Sequence, residues 1–226
     1  MIALVDADVV AYRVAYGCND DPEGVAIAKA SEFLEDLVFT FANADDCEGY
    51  LTGKDNFRHE IAKTMPYKAN RVAEKPRHLG IIREYMISAW AFSVQEKQEA
   101  DDAISIRAYA MDEEDYIICS IDKDLNNCRG WHYDFNKNDR YFVTEEEAIK
   151  NFYTQVLTGD RVDNVPGLAG IGPKKAAKIL DGCVTEQQLF TAVLEAYKGD
   201  IDRMTEMAQL LWLRRKENEL WQPPKI

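Results

Sequence analysis

Four short acidic clusters punctuate this chain: Asp6 with Asp8; Glu99, Asp101 and Asp102 in EADD; Asp122 with Asp124; and Asp160 with Asp163 in GDRVDN. Acidic residues make up 40 of 226, so any one cluster could be a solvated face, and EADD could be a helix first turn favoured by its dipole. Jointly they suggest more. Carboxylates gathered at one crevice repel one another unless cations join them, and hard oxygen donors select Mg²⁺ or Mn²⁺ over Zn²⁺. A pair of such ions about 4 Å apart can generate hydroxide, clamp a phosphate and stabilise a leaving oxygen, which suits phosphodiester hydrolysis. His59, His78 and His132 are scattered without metal-type spacing and are read as surface or packing residues; no Ser/His/Asp motif is present.

A second chemical signal is GLAGIGPKKA at 167–176, where glycines, Gly170 and Gly172 among them, permit unusual dihedrals before Pro173 opens a helix. Glycine-exposed amides and helix N-termini bind phosphate oxygens, and Lys174, Lys175 and Lys178 would add charge without reading sequence. The plain alternative is a tight turn between two packed helices.

Positioning such groups requires strands that end in carboxylates. Ile2–Val5 is an apolar run ending in Asp6, and 116–121 is another ending in Asp122; both have the length of buried parallel strands. Helical patterns lie between them, at about 25–42 and 79–90, with a third helix from Glu99 and a short strand at 49–51. Alternation of this kind predicts an open parallel sheet with helices on both faces, which binds ligands beyond its strand C-termini. Residues 131–143 read as a hairpin, and TEEE at 144–147 as the capping box of a following helix. The expected boundary therefore falls near 145: an α/β core over 1–145 and a helical module over 146–226.

Composition is that of a soluble globular protein, with 46% hydrophobic and 30% charged residues. The formal net charge of −13 argues at first against a polyanionic partner, yet the stretch from Lys54 to Arg83 is locally basic, and Arg214, Arg215 and Lys216 form a further cluster. LLWLRRKENELW at 210–221 is read as amphipathic packing, with a phosphate contact from Arg214 and Arg215 the minority reading. No apolar stretch long enough to span a membrane occurs and no secretory signal opens the chain. Five cysteines, odd in number and without C-x-x-C spacing, read as reduced thiols, so a cytoplasmic setting is expected.

LVDAD at 4–8, FR at 57–58, YKANR at 67–71, EADD at 99–102, SIDKD at 120–124 and GDRVDNVPGLAGIGPKKA at 159–176 resemble, in order, the motifs of the 5′ nuclease family of flap endonucleases and 5′→3′ exonucleases. Size and motif spacing are similar to the bacteriophage members, which would place the protein in a host cytoplasm. The resemblance implies a PIN-like α/β nuclease core, with a short helical arch near 60–95, followed by a helix-hairpin-helix module. It implies that Asp6, Glu99, Asp101, Asp102, Asp122, Asp124, Asp160 and Asp163 bind two divalent ions. It also implies a scissile phosphate held catalytically by Lys68 and Arg71, a supporting phosphate contact from Arg58, base stacking by Tyr67, DNA contacts from the 167–178 hairpin, and K⁺ at that hairpin. One departure stands out: where the family has another metal-binding Asp, this chain has Thr52, followed by Gly53. Only 27 residues separate Arg71 from Glu99, so any arch is short. The expected function is hydrolysis of DNA at 5′ ends or flaps by a monomer, giving 5′-phosphate and 3′-hydroxyl products. A PIN-type ribonuclease or RNase H-like primer remover acting on RNA:DNA hybrids is the alternative, and a non-catalytic DNA-binding replication protein, motivated by Thr52, is the second.

Overall fold

The structure, a computed structural model, describes residues 1–71 and 73–225. Its first strand, β1 (Ile2–Asp6), runs straight into helix α1 (Ala7–Gly17), because the Asp6 carboxylate accepts the Val9 N–H at 3.1 Å and so caps the helix. Helix α2 (Glu23–Glu35) continues into a π-helical turn at Asp36–Phe41, so the single helix expected over 25–42 is two kinds of helix end to end. Strand β2 (Asp46–Asn56) and the short helix α3 (Arg58–Ile61) follow. Helix α4 (Leu79–Trp90), strand β3 (Ser93–Lys97) and helix α5 (Ala100–Tyr109) lead to β4 (Tyr116–Cys119), whose C-terminal end opens into a 3-10 turn at Lys123–Asn127. Strands β5 (Gly130–Asp134) and β6 (Asp139–Val143) form the expected hairpin. In the helix that follows, α6 (Glu145–Thr158), Thr144 and Glu147 close a reciprocal capping box.

The sheet has the order β3-β2-β1-β4-β5-β6, parallel except for the last pair. The chain winds outward from β1 in one direction to β2 and β3, then from β4 in the other. Their C-terminal ends, where Asp6 and Asp122 emerge, flank the switch point at which such sheets bind ligands. Period 2 sorts β1: Ala3 and Val5 join the core under α1, α2 and α4, while Leu4 packs with Ile104 and Ala108 of α5 on the opposite face.

A separate apolar core forms behind this sheet. It is built by α6 with α7 (Pro173–Ile179), α8 (Glu186–Ala196) and α9 (Ile201–Leu211), closed by Trp212 and Trp221. Between α6 and α7 lies a two-stranded ladder, β7 (Gly159–Asp160) with β8 (Val165–Pro166), and then the glycine hairpin. No helical arch forms among the described residues. Segments 62–71 and 73–78 are turns and irregular chain, and α4 packs onto α1 and α2 instead of standing away from the core. Pro66 and Pro76, together with the lack of any apolar period between them, account for this.

Candidate active-site crevice

A crevice of about 630 Å³ opens at the switch point, lined by Asp6, Asp8, Glu99, Asp101 and Asp122 with Lys68, Arg71 and Arg83. Asp6 is brought there by β1 and held rigid, since besides Val9 it accepts the Ser120 hydroxyl at 2.7 Å. Burial pushes its carboxyl up to about 7 against the lowering effect of those two hydrogen bonds, with Asp8 and Asp122 adding repulsion. Asp101, in the first turn of α5, is raised well above the ordinary carboxylate range by burial first, then by Asp6, Asp122 and Glu99. Asp122 accepts the Asp124 N–H at 2.9 Å and so shapes the turn after β4.

Asp124 and Asp160 stand beside the crevice, in a second acidic group bridged by Lys123. Burial, then Asp122 and Asp160, raise Asp124 to about 7, and it accepts the Gln155 amide at 2.5 Å. Asp160 is buried and accepts the Val162 N–H at 2.6 Å, which turns the chain so that Asp163 faces the YKANR segment. Burial alone would raise Asp163, but Lys68, the Tyr67 hydroxyl and Arg71 outweigh it and hold the carboxyl below its usual range. Lys68 sits at φ +54°, a left-handed conformation that is uncommon for a residue with a side chain, and its N–H donates to the Asp163 carbonyl at 2.9 Å. Its ammonium lies between Glu99 and Asp163.

Three sequence expectations are corrected by this geometry. Asp102 does not face the crevice: it is 0% exposed and saturated by Arg58, at 2.6 and 2.8 Å, and by the Glu99 and Arg214 N–H groups at 3.1 and 3.2 Å. On an α-helix, adjacent residues point about 100° apart, so Asp101 and Asp102 cannot both enter one crevice. Arg58, 2% exposed, is not a phosphate contact; it also donates to the Leu210 and Trp212 carbonyls at 2.9 and 2.8 Å and so ties the sheet domain to the end of α9. Tyr67, 4% exposed, has no free face for a base, because His59 packs against its ring and the Lys68 ammonium lies over it, while its hydroxyl meets Glu99 at 3.0 Å and Asp163 at 2.7 Å. Arg214 and Arg215 are likewise packing residues, over Phe57 and over Tyr109 and Trp212.

Thr52 ends up beside the crevice, but its hydroxyl accepts the Ala100 N–H at 3.0 Å, capping α5, and its own N–H donates to Asp8 at 2.8 Å. Asp8 also takes Arg83, which local sequence does not mark as a site residue because only the packing of α4 against α1 and α2 brings it in. In the hairpin, Gly170 adopts φ +75°, Lys175 donates to the Gly170 carbonyl at 2.8 Å, and Gly172 caps α7; Lys174 and Lys178 are exposed.

The donor set suits a hard cation. All donors are oxygens, and the upward shifts of Asp6 and Asp101 show that the cluster is short of positive charge. Among the described residues no three acidic, His or Cys side chains already converge on one point; Lys68 and Arg83 supply the counter-charge, and side-chain rotation would be needed to gather the carboxylates.

The fold and this order of carboxylates define a 5′ nuclease-type α/β protein. No family model matches the chain. It is 35% identical over 178 residues to DNA polymerase I of Rhizobium leguminosarum, covering 68% of this chain and 15% of the polymerase. It is 30% identical over 152 residues to flap endonuclease Xni of Shewanella denitrificans, covering 62% of this chain and 60% of that protein. The chain thus spans less than two thirds of these relatives. The T5 D15 protein co-crystallised with metal ions superposes with a TM-score of 0.67 at 15% identity over 93% of this chain and 88% of that one. T5 5′-exonuclease with bound divalent metal ions (zinc) gives 0.61 at 18% identity, over 93% and 86%. The chain belongs to the 5′ nuclease family: its homologues are the 5′-nuclease domains of DNA polymerase I and the Xni flap endonuclease, and its fold is that of the T5 5′-exonuclease.

Proposed function

We propose that this chain is a divalent-metal-dependent 5′ nuclease that hydrolyses DNA phosphodiesters at 5′ ends or flaps, leaving 5′-phosphate and 3′-hydroxyl products. One observation carries the reading: adjacent parallel strands β1 and β4 deliver Asp6 and Asp122 into the same crevice as Asp101 and Glu99, with Lys68 and Arg71 on its wall. Relatives support it, in that one is named a flap endonuclease and a T5 flap endonuclease of the same fold has been seen in complex with DNA and metal ions.

Asp6, Glu99, Asp101 and Asp122 would hold Mg²⁺ or Mn²⁺, with Asp124, Asp160 and Asp163 forming the nearby acidic group a second ion would use, while Asp8 stays with Arg83 and the Thr52 N–H. Bound there, the ions supply a water of lowered pKa and charge on the phosphate oxygens. The protein's own part is geometric. Asp6 is fixed by Ser120 and by the α1 N-terminus, so this one donor has little freedom to lose on loading, and the other carboxylates would turn toward it. Lys68 and Arg71 would leave Glu99 and Asp163 to take the scissile phosphate, where a fixed positive charge stabilises the charge that develops as the P–O bond breaks. The hairpin at 167–172 and Lys174, Lys175 and Lys178 would follow the duplex backbone without reading bases, with K⁺ among the hairpin carbonyls. In this reading the protein acts as a monomer, and RNA:DNA hybrids are a secondary substrate.

The test is cleavage of 5′-labelled duplex, flap, single-stranded and RNA:DNA substrates with Mg²⁺, Mn²⁺ or EDTA, beside Asp122→Asn. Metal-dependent release from DNA 5′ ends, lost in the variant while DNA binding persists, is expected. Tight binding without cutting under either metal would mean a binding protein instead.

A further inference from the structure

Arg83 is a charged side chain in the crevice that the proposed chemistry leaves without a task. It stands on α4 with its side chain 24% exposed. One of its terminal nitrogens donates to Asp8, and the other donates to the Thr52 carbonyl at 2.7 Å. Asp8 is fixed in turn on its second oxygen by the Thr52 N–H. Among the described residues these are the guanidinium's only partners, so its remaining N–H groups are left over on a side chain that lines the crevice. A guanidinium can hold a carboxylate on one edge and present another to a phosphate, which a lysine cannot do in fixed geometry.

The surroundings favour that use. Position 52 carries a hydroxyl that is already engaged with Ala100, and at this end of the crevice Asp8 is matched by Arg83 while Glu96 lies by Gly53 near Lys54, unlike the Asp6–Asp101–Asp122 part where acids crowd. Lys54 and Lys75 line the same crevice. Lys68 and Arg71 are anchored elsewhere, on Asp163 after β7, so Arg83 does not duplicate them.

We propose that Arg83 is a further phosphate-holding residue: anchored by Asp8 and Thr52, it takes a DNA backbone phosphate other than the one held by Lys68 and Arg71. The inference rests on the nuclease reading, and it makes the Thr52 end of the crevice a phosphate site. The competing account is that Arg83 only ties α4 to β2.

A scan of binding separates the two. Duplex DNA with a 5′ end would carry a single neutral methylphosphonate at successive positions, and its affinity would be measured in EDTA so that no cutting intervenes. Removing a charge-assisted hydrogen bond should weaken wild-type binding about tenfold at one position. Arg83→Met should bind unmodified DNA about tenfold more weakly and lose less than about twofold more at that position, while responding like the wild type elsewhere. Arg83→Lys, which keeps the charge, should recover part of the binding and guards against a folding defect in the first variant. A scan profile in both variants identical to that of the wild type would overturn the phosphate role and leave the nuclease reading standing. Failure of the wild-type chain to bind any of these DNAs would sink both.

Discussion

At the scale of the residue, the acids divide by what burial does to them. Asp101 and Asp102 are neighbours, the first half-buried and the second fully buried, yet the first is raised and the second lowered, because only Asp102 meets a guanidinium. Arg58 and Asp102 form a pair that must be kept or removed together. Arg58→Met is expected to cost about 3–5 kcal/mol in chemical denaturation by stranding a buried carboxylate, and Arg58→Met with Asp102→Leu to recover most of it. An intact melt but weakened DNA affinity in the single variant would restore the phosphate-contact reading that the FR motif suggested. His132 gives a pH-dependent case. Its ring stacks on Tyr141, its Nε2 meets the Cys128 carbonyl at 2.9 Å and so carries the proton of the neutral ring, and burial pushes its pKa down to about 4 from 6.5. The unfolded chain then binds more protons than the folded one between pH 6.5 and 4. This contribution, up to roughly 3 kcal/mol, is complete above pH 6.5 and lost as pH falls through that window. His132→Gln, which keeps a donor but cannot titrate, should show a flatter stability curve in urea there; parallel curves would mean that the ring is solvated. Of these residues the sequence showed which were acids and in what order they came. Which ones had partners depended on Arg58 and Arg83 arriving from distant elements.

Elements were legible where a period or a cap spoke for them. The apolar runs of β1 and β4, the helical spacing of α4 and the Thr144 capping box all lie in the local chain. Helix α1 was not legible, because VDAD reads as the end of a strand and nothing local says that Asp6 is also a helix cap. The mostly exposed edge strand β3 carries no alternating apolar pattern, and the arch depended on the resemblance alone. Glycine placement is a stricter test of an element. Gly159 lies at φ +70°, and a Cβ there would meet the Gly167 nitrogen at 2.2 Å, since the β7–β8 ladder brings the two backbones together. Gly159→Ala is expected to destabilise by more than about 2 kcal/mol and to impair duplex binding by distorting the hairpin it feeds. Helix α4 offers the opposite sign: its C-cap, the exposed Ala91, is held at φ +54°. Ala91→Gly should raise stability by roughly 1 kcal/mol, read as a higher urea midpoint with unchanged slope, and a lower midpoint would mean that the αL turn is not formed in solution.

Among the described residues the molecule has an apolar core on each face of the sheet and a third among α6–α9, joined through polar ties at and beside the crevice. Arg58 reaches the carbonyls at the end of α9, while Tyr67, packed in the helical core, and Lys68 join Asp163 to Glu99 at the start of α5. None of the helices among the described residues is long and apolar enough to cross a membrane. With the cores fastened at the site itself, whatever neutralises the crevice should stabilise the entire fold. In the metal-free protein, burial and mutual repulsion oppose the ionisation of Asp6 and Asp101. A divalent ion binding only the folded state at about 100 times its Kd would add roughly 2.7 kcal/mol, which for a chain of this size shifts Tm by about 5–10 °C. Thermal unfolding without DNA should therefore show one transition that moves up with millimolar Mg²⁺ and returns on chelation. Asp101→Asn removes a carboxyl whose ionisation burial and its neighbours oppose, so its metal-free midpoint should not fall while the Mg²⁺ increment shrinks. A Tm indifferent to Mg²⁺ in the wild type would mean that Lys68 and Arg83 already satisfy the crevice and that its acids do not hold an ion; two separate transitions would mean that the ties through Arg58 and Tyr67 are too weak to couple the cores.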